Sequence, residues 1–456
     1  MNSVAQCVET LERILEEEAE QLARETGFIQ REREISGADF VQALIFGWLE
    51  EPEITLDGQT QVLQRREVSI TASGFSQRFT PEAVALMQRV LERLSAEQMQ
   101  VEPVEIALLK QFSAVILEDS SSITLPPKLA EVWRGCGGSP GASEAAMKLF
   151  VRWDVLRGEL HGPGLEQGRR NDKRGPLAVE DLPDGCLYVA DLGFFGVQRL
   201  TTIAGGRPDQ PDIKRYFVSR YQSKTVLQTR AGHRIDLAGI LPQQVGQMVE
   251  VGALLGQAGR LPVRVRMLRV PTEVADERRA HIRASAQGQG RLPDEEVLAL
   301  ADWTIVLTNV PRRRLSSEQV LLILRLRWQI ERLFRLWKEH GHIDEWRSKK
   351  PWRILCEVYA KLCAMLIQQW LIQLGCWQDP HRSLVKAAQV VRREAGQLMV
   401  ALYRGGVEAT VTGIVRCMQS GCRLNTRKTN PNTSQFLLGT PLVWPERKSQ
   451  RKKVLT

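Results

Sequence analysis

The sequence has few of the residues that build zinc sites. Of its 456 residues, 6 are histidine and 8 are cysteine. The cysteines form no CxxC pair and no Cys/His cluster, so we expect no zinc site and interpret them as reduced thiols in a core. Long apolar runs are also missing. The most apolar segment, about 352–377, is interrupted by Glu357, Lys361 and three glutamines, which argues against a membrane span.

Charge is unevenly distributed along the chain. The sequence has 62 basic and 53 acidic side chains, a net charge of +9, yet residues 1–60 carry 14 acidic and 4 basic ones. Residues 423–456 carry 8 basic side chains and 1 acidic one. A basic body with a basic tail predicts a polyanionic partner, nucleic acid rather than a membrane. The start of the sequence is a Glu-rich helix pattern, so we expect no secretory signal and a cytoplasmic protein.

Apolar periodicity predicts an N-terminal helical domain over residues 1–105. Within it, segment 59–79 is typical of a helix, a short turn and a second helix, with Arg78 and nearby polar residues available to contact DNA. Short helices joined by turns are common, so a purely structural interpretation remains open.

Two predicted strands each end in an acid. The apolar run 114–117 is followed by Glu118 and Asp119, and the run 186–190 is followed by Asp191. Such runs favour buried strands. Acids often end strands because turns follow, so each alone could be a turn residue. Two in one domain favour a site.

The remaining chain divides by pattern into further predicted domains. Residues 106–214 and 301–350 are expected to form the two parts of one α/β core, separated by a β-rich insertion, 215–300. A helical region and a basic tail follow, at 351–422 and 423–456.

Segment 324–338, LRLRWQIERLFRLWK, is predicted to be one helix with two different faces. Arg327, Glu331, Arg335 and Lys338 project from one face, while an apolar stripe lies about 100° away. A solvated helix surface is the alternative, since such i, i+4 charge pairs contribute only about 0.2–0.5 kcal/mol.

Asp119, Asp191 and Glu331 together suit phosphodiester chemistry. Three carboxylates can hold two Mg²⁺ ions, which prefer hard oxygen ligands, and Mn²⁺ is expected to substitute. Cationic neighbours such as Arg327, Arg335 and Lys338 would bind phosphates beside the reacting bond.

The ordered acids and the basic helix resemble a known family. Arg327, Glu331 and Lys338 match the Arg, Glu and Lys places of the Tyr-x2-Arg-x3-Glu-x6-Lys signature found in a subgroup of bacterial insertion-sequence transposases of the DDE class. Asp119 and Asp191 match the two aspartates of that class. Leu324 occupies the Tyr place, which is a departure from the pattern.

The resemblance implies a fold and an activity. The fold is a ribonuclease-H-like α/β core with a β-rich insertion, flanked by helical domains. The activity is Mg²⁺-dependent cleavage at terminal inverted repeats and strand transfer, in a homodimer on double-stranded DNA, with the 351–422 helices as the expected contact. Such a protein would act in the bacterial cytoplasm, on the nucleoid when bound to DNA.

The resemblance also implies DNA-contacting residues outside the acids. Trp303 matches a tryptophan on which a flipped base stacks, and Trp328 matches one that probes the gap the base leaves. Packing in the core is the alternative for both. Arg220 and Lys224 are candidates for phosphate contact, with solvated surface as the alternative for each.

Two other functions remain open from the sequence. One is a nuclease on the same core that does not join strands. The other is a DNA-binding derivative without full catalytic activity, a repressor or a relic, which Leu324 would favour.

Overall fold

The computed structural model describes residues 3–31, 34–137, 144–205, 214–257, 261–288, 290–427 and 431–440. Over these residues the chain is a mixed α/β protein with sheet strands and flanking helices. Part of the predicted basic tail, residues 428–430 and 441–456, lies outside the described residues.

The helices account for most of both termini. In chain order they are α1 Ser3–Glu12, α2 Ala19–Glu25, α3 Gly37–Glu50, α4 Leu56–Gln64, α5 Ala72–Ser76, α6 Pro81–Ala96, α7 Val197–Gly205, α8 Thr272–Gly288, α9 Glu295–Ala299, α10 Ser317–Leu326, α11 Trp328–Glu339, α12 Pro351–Cys376, α13 Leu384–Arg404, α14 Val407–Gly421 and α15 Thr433–Leu437. A π-helical stretch, Arg13–Glu18, joins α1 to α2.

The strands occupy the middle of the chain. They are β1 Val115–Leu125, β2 Ala145–Asp154, β3 Glu159–Gln167, β4 Leu187–Ala190, β5 Tyr216–Arg220, β6 Leu227–Gln228, β7 Met248–Leu255, β8 Leu261–Arg269 and β9 Trp303–Thr308.

The chain divides into two compact units. The first unit contains Met1–Glu105, Ala114–Ala178 and Trp328–Leu424, and the second contains the remaining segments, Ile106–Ser113, Val179–Arg327 and Asn425–Thr456. In the first unit β1, β2 and β3 form an antiparallel meander. In the second unit β4 and β5 pair in parallel. The sheet then continues through antiparallel pairs of neighbouring strands in the order β5, β9, β8, β7 and β6.

Helix ends follow from local sequence. Ser36 caps α3 and Ser316 caps α10, each through a capping box with the residue three positions later, Asp39 and Gln319. These boxes satisfy backbone N–H groups that the first helical turn leaves without partners. The predicted helix–turn–helix segment contains α4 and α5, but α5 is only five residues long.

Helix α12 is the core helix of the first unit. It is long and apolar enough to cross a membrane by length and composition, but its apolar window is entirely buried in the fold. It packs against α3, α6, α13 and α14. Its charged side chains Glu357 and Lys361 are also buried and pair at 2.8 Å. These contacts indicate a helix that packs inside the protein.

A half-buried carboxyl in the β2–β3 hairpin makes the stability pH-dependent. Burial and the nearby charge of Asp154 raise the pKa of Glu159 from 4.5 to about 7. The folded state therefore holds this proton more tightly than the unfolded state does. The contribution of Glu159 to stability is present at low pH and is lost as pH rises through about 7.

We therefore expect Glu159→Gln to flatten the pH dependence of stability. Urea denaturation of the two proteins between about pH 5 and 8 measures this. The unmodified protein should lose stability relative to the variant as pH rises, and parallel curves for the two proteins would contradict the assignment.

Candidate active site

The sequence predicted Asp119 at the exit of a strand. In the structure this residue lies inside β1. The strand continues to Leu125 because its backbone pairs with β2, where Asp119 lies opposite Val151. The Asp119 carboxylate is partly exposed and accepts a hydrogen bond from the backbone N–H of Ser120 at 2.8 Å.

The neighbouring acid, Glu118, has a different role. Successive side chains of a strand point to opposite faces. Glu118 is 1% exposed and accepts from Nε of Arg152 at 2.9 Å, across the β1–β2 pair. Since Arg152 already neutralises Glu118 inside the fold, Asp119 is the acid of this pair that can bind a ligand.

Asp191 lies directly after β4, as the sequence predicted. It occupies the N-cap position of a short 3-10 turn, Leu192–Phe194, and its side chain makes no capping hydrogen bond there. The side chain is 46% exposed, with Nη1 of Arg327 at 3.8 Å from its carboxylate. An ion pair at this distance restricts the directions in which the Asp191 carboxylate can point.

Glu331 lies in the first turn of α11 and is partly exposed. The predicted apolar stripe of this helix, which includes Ile330, Leu333 and Trp337, is buried. The helix packs against β1, and Nζ of Lys338 donates to the backbone oxygen of Ser122 at 2.9 Å. The first unit therefore holds the helix of Glu331 against the strand of Asp119.

The single helix predicted over 324–338 is interrupted at Arg327. Helix α10 ends at Leu326 and α11 begins at Trp328. Arg327 was predicted on an exposed face, but it is 6% exposed and lies beside Asp191. Tertiary packing, which helical periodicity does not show, buries this position. Leu324 is also buried, at 7% exposure.

The other two cations of the predicted face differ from Arg327. Arg335 is exposed and lies 3.6 Å from Glu339, one turn further along α11. Lys338 is partly exposed, with Asp344 at 3.5 Å. Exposed pairs of this kind contribute little energy, so both cations can exchange their partner for a phosphate.

The two candidate tryptophans lie in different surroundings. Trp303 begins β9, donates from Nε1 to the backbone oxygen of Pro242 at 2.9 Å, and has the Arg269 guanidinium 5.2 Å from its ring centroid. It also lines a cavity of about 650 Å³ together with Tyr221. Trp328 is 52% exposed at the start of α11. Packing in the core is the alternative to a DNA contact for both tryptophans. It does not fit Trp328, because this side chain is exposed.

The candidate phosphate contacts outside α11 are spread over both units. Arg220 ends β5 and is partly exposed, and Arg78 follows α5 in the first unit. Lys224 is exposed and pairs with Asp294 at 2.6 Å, and this carboxylate raises the pKa of the Lys224 ammonium through a hydrogen bond and its charge. Its exposure lets a phosphate compete with Asp294.

One group of possible metal ligands was not found from the sequence. Ligand atoms of Glu53, His342 and Glu345 lie within 4.8 Å of one another in the first unit. Arg347 also contacts Glu53, at 3.2 Å, and so competes with any cation there. His342 belongs to the stretch HGH, residues 340–342, which directly follows the end of α11. Nothing local to that stretch indicates its proximity to Glu53.

The donor chemistry of the three acids fits a hard cation. Asp119, Asp191 and Glu331 offer carboxylate oxygens on partly exposed side chains. Mg²⁺ takes such ligands and keeps several waters, so it requires no histidine or cysteine. These residues therefore suit the metal that the sequence predicted.

Comparison with known proteins gives one consistent result. Residues 110–367, more than half of the chain, match the family described as Transposase DDE domain. The chain is 25% identical over 430 residues to the transposase for insertion sequence element IS231E of Bacillus thuringiensis subsp. finitimus, covering 84% of this chain and 87% of that protein.

Two further relatives come from other bacteria. The transposase for insertion sequence element IS1151 of Clostridium perfringens is 23% identical over 372 residues, 78% of each chain. The putative transposase InsL for insertion sequence element IS186A of Escherichia coli (strain K12) is 30% identical over 246 residues, 52% of this chain and 63% of that one.

Proposed function

This chain belongs to the Transposase DDE domain family, and from that premise we propose that it cuts DNA at the terminal inverted repeats of an insertion sequence and transfers the freed ends into a target. The observation that carries the proposal is the set of three partly exposed acids, Asp119, Asp191 and Glu331, on β1, after β4 and on α11. All three lie within the matched residues.

Asp119, Asp191 and Glu331 are proposed to act together as ligands of two Mg²⁺ ions, with Mn²⁺ as a substitute. When bound, such ions activate the attacking hydroxyl and stabilise the charge that develops on the phosphate. Arg327, buried beside Asp191, pairs with that carboxylate at 3.8 Å and orients it. Its role is therefore positioning as much as phosphate binding.

The remaining candidate residues are proposed to hold the DNA. Lys338 and Arg335 bind phosphates beside the cut, and Trp328, with its exposed ring, enters the duplex. Trp303 is proposed to stack a base. Its location in a cavity supports this. The more distant phosphate contacts in the proposal are Arg220, Lys224 and Arg78.

The wider organisation is part of the same proposal. The core is ribonuclease-H-like and consists of residues 106–214 and 301–350, with 215–300 inserted. Residues 1–105 bind DNA, 351–422 form the contact of a homodimer, and 423–456 form a basic tail. The protein acts on chromosomal and element DNA in the cytoplasm, away from membranes.

A cleavage and joining assay tests the proposal. The purified protein is mixed with a duplex that carries the element's terminal repeat and with a target plasmid, in the presence of Mg²⁺ or of a chelator. We expect cleavage at the repeat and a joined product, both lost with the chelator. If neither cleavage nor joining occurs in Mg²⁺ or in Mn²⁺, the proposal of a transposase is contradicted.

The same assay separates the alternatives. A nuclease without strand transfer would cut the repeat but leave no joined product. A DNA-binding derivative would bind the repeat and leave it intact. The buried Leu324 is the observation that favours this last alternative, because it places an apolar side chain where the signature has a phenol.

A further inference from the structure

The segment that follows α11 and begins α12 is strongly basic. Residues 347–353, RSKKPWR, contain four cations and no acid. Lys349, Lys350 and Trp352 are exposed. Arg347 pairs with Glu53 at 3.2 Å. Among the residues that the structure describes, no carboxylate lies within salt-bridge distance, 4.0 Å, of Lys349 or Lys350. These two exposed charges are therefore not neutralised by the fold.

The basic segment contacts the predicted DNA-binding helices, although nearly 300 residues separate them in sequence. Nζ of Lys350 donates to Oγ of Ser76, in α5, at 3.2 Å. The guanidinium of Arg353 lies 5.5 Å from the ring centroid of Phe79, which is buried between α5 and α6. All these residues belong to the first unit.

The position of the segment is fixed by the core. Pro351 begins α12, whose following turns are buried. Arg353 is half-buried, and burial lowers the pKa of its guanidinium. A cation that packs on an aromatic ring in this way holds its neighbours in place. Lys350 occupies the N-cap position of α12 and Lys349 directly precedes it, so both exposed lysines lie next to the start of a buried helix.

We propose that the basic segment, 347–353, and the α5 region, 72–80, form one surface that binds the phosphate backbone of double-stranded DNA. The α5 region contributes Arg78 and the exposed polar side chains of Ser73 and Gln77. The inference rests on the proposed function for its partner, but it concerns where the duplex is held and not how it is cut.

The salt dependence of DNA binding tests this surface, because it reports the number of phosphate contacts. Each contact releases condensed counterions, so the logarithm of the binding constant falls with the logarithm of salt concentration by about 0.9 per phosphate on a duplex. Replacing both exposed lysines, Lys349→Ala and Lys350→Ala together, should reduce this slope by about 2 and weaken binding by the same factor on every sequence.

The experiment uses the full chain with a chelator present, so that no DNA is cut. Fluorescence anisotropy measures binding of a random-sequence duplex, of one of its single strands and of a duplex carrying the terminal repeat over a range of salt concentrations. The charge-matched control variant is Arg230→Ala with Arg283→Ala, which removes two exposed cations, one after β6 and one from α8. A second variant, Lys349→Arg with Lys350→Arg, should keep the slope of the unmodified protein.

Each outcome has a distinct meaning. The surface is supported if the salt slope falls when both lysines are replaced by alanine and stays unchanged in the Arg→Ala control variant. An unchanged slope in the Lys→Ala variant, or an equal drop in this variant and in the Arg→Ala control, overturns the proposed surface. The proposed function still stands in that case if the unmodified protein binds the duplex. A preference for single-stranded over double-stranded DNA would overturn the duplex as the ligand. Failure of the unmodified protein to bind either duplex would overturn both proposals.

Discussion

Replacing Asp119 by Asn should abolish cleavage of a terminal-repeat duplex while the protein stays folded and still binds DNA. The substitution keeps the size of the side chain and removes its charge. A metal ion contributes several kcal/mol to the charge stabilisation of such a reaction, and each 1.36 kcal/mol is a factor of ten in rate. We therefore expect a loss of about a thousandfold or more in single-turnover cleavage.

The other two acids should behave in the same way and as one group. Asp191→Asn and Glu331→Gln are each expected to reduce cleavage as strongly as Asp119→Asn. Residues that act as a unit are strongly non-additive, so any pair of these changes should cost little more than one. Independent, multiplying effects in the double variants would argue against a shared site.

The matched control is a nearby acid of the same unit. Asp172 accepts a hydrogen bond from Oγ of Ser120 at 2.6 Å and pairs with Lys148 at the same distance. We expect Asp172→Asn to leave cleavage within a few-fold of normal, because this carboxylate is already committed to neighbouring side chains. A thousandfold loss in this variant, equal to that of Asp119→Asn, would contradict the assignment of Asp119.

Replacing Lys361 by Met should cause a large loss of stability. Lys361 is 1% exposed, pairs with Glu357, and also donates to the backbone oxygens of His342 and Glu345. Burial raises the pKa of the Glu357 carboxyl, and Lys361 opposes that shift. Without the lysine, the buried Glu357 carboxyl must be either charged with no cation beside it or protonated, at a cost of about 3–5 kcal/mol.

Urea denaturation checks this expectation, with a double variant as control. Replacing both partners, Glu357→Met and Lys361→Met, removes the buried charges and retains similar volumes, which is often neutral or stabilising. The double variant should therefore recover most of the stability that the single variant loses. A single variant within about 1 kcal/mol of the unmodified protein would show that the pair does not hold α12 to the chain after α11.

Much of the fold follows from local sequence patterns. An apolar run predicted β4, and sequence patterns predicted the helical regions 1–105 and 351–422, in which α1 to α6 and α12 to α14 lie. The spacing of the acids predicted the family, which the comparison confirms. These features depend on periods of two and 3.6 residues, which a sequence displays directly.

The same patterns were misleading where tertiary contacts override them. The run before Asp119 was expected to end there, but pairing with β2 extends the strand past it. Arg327 was expected on an exposed face, but it is buried beside Asp191. Neither contact has a local signal, because each depends on a segment more than 25 residues away in the chain.

From the sequence alone come the predictions that Asp119, Asp191 and Glu331 carry the chemistry and that cations lie near the third. Tertiary structure alone decided which charges are available to a ligand. It buries Glu118 on Arg152, buries Lys361 on Glu357, and leaves Lys349 and Lys350 exposed beside α5. The physical reason is that the energy of a charge depends on its burial and its partners, and distant parts of the chain supply both.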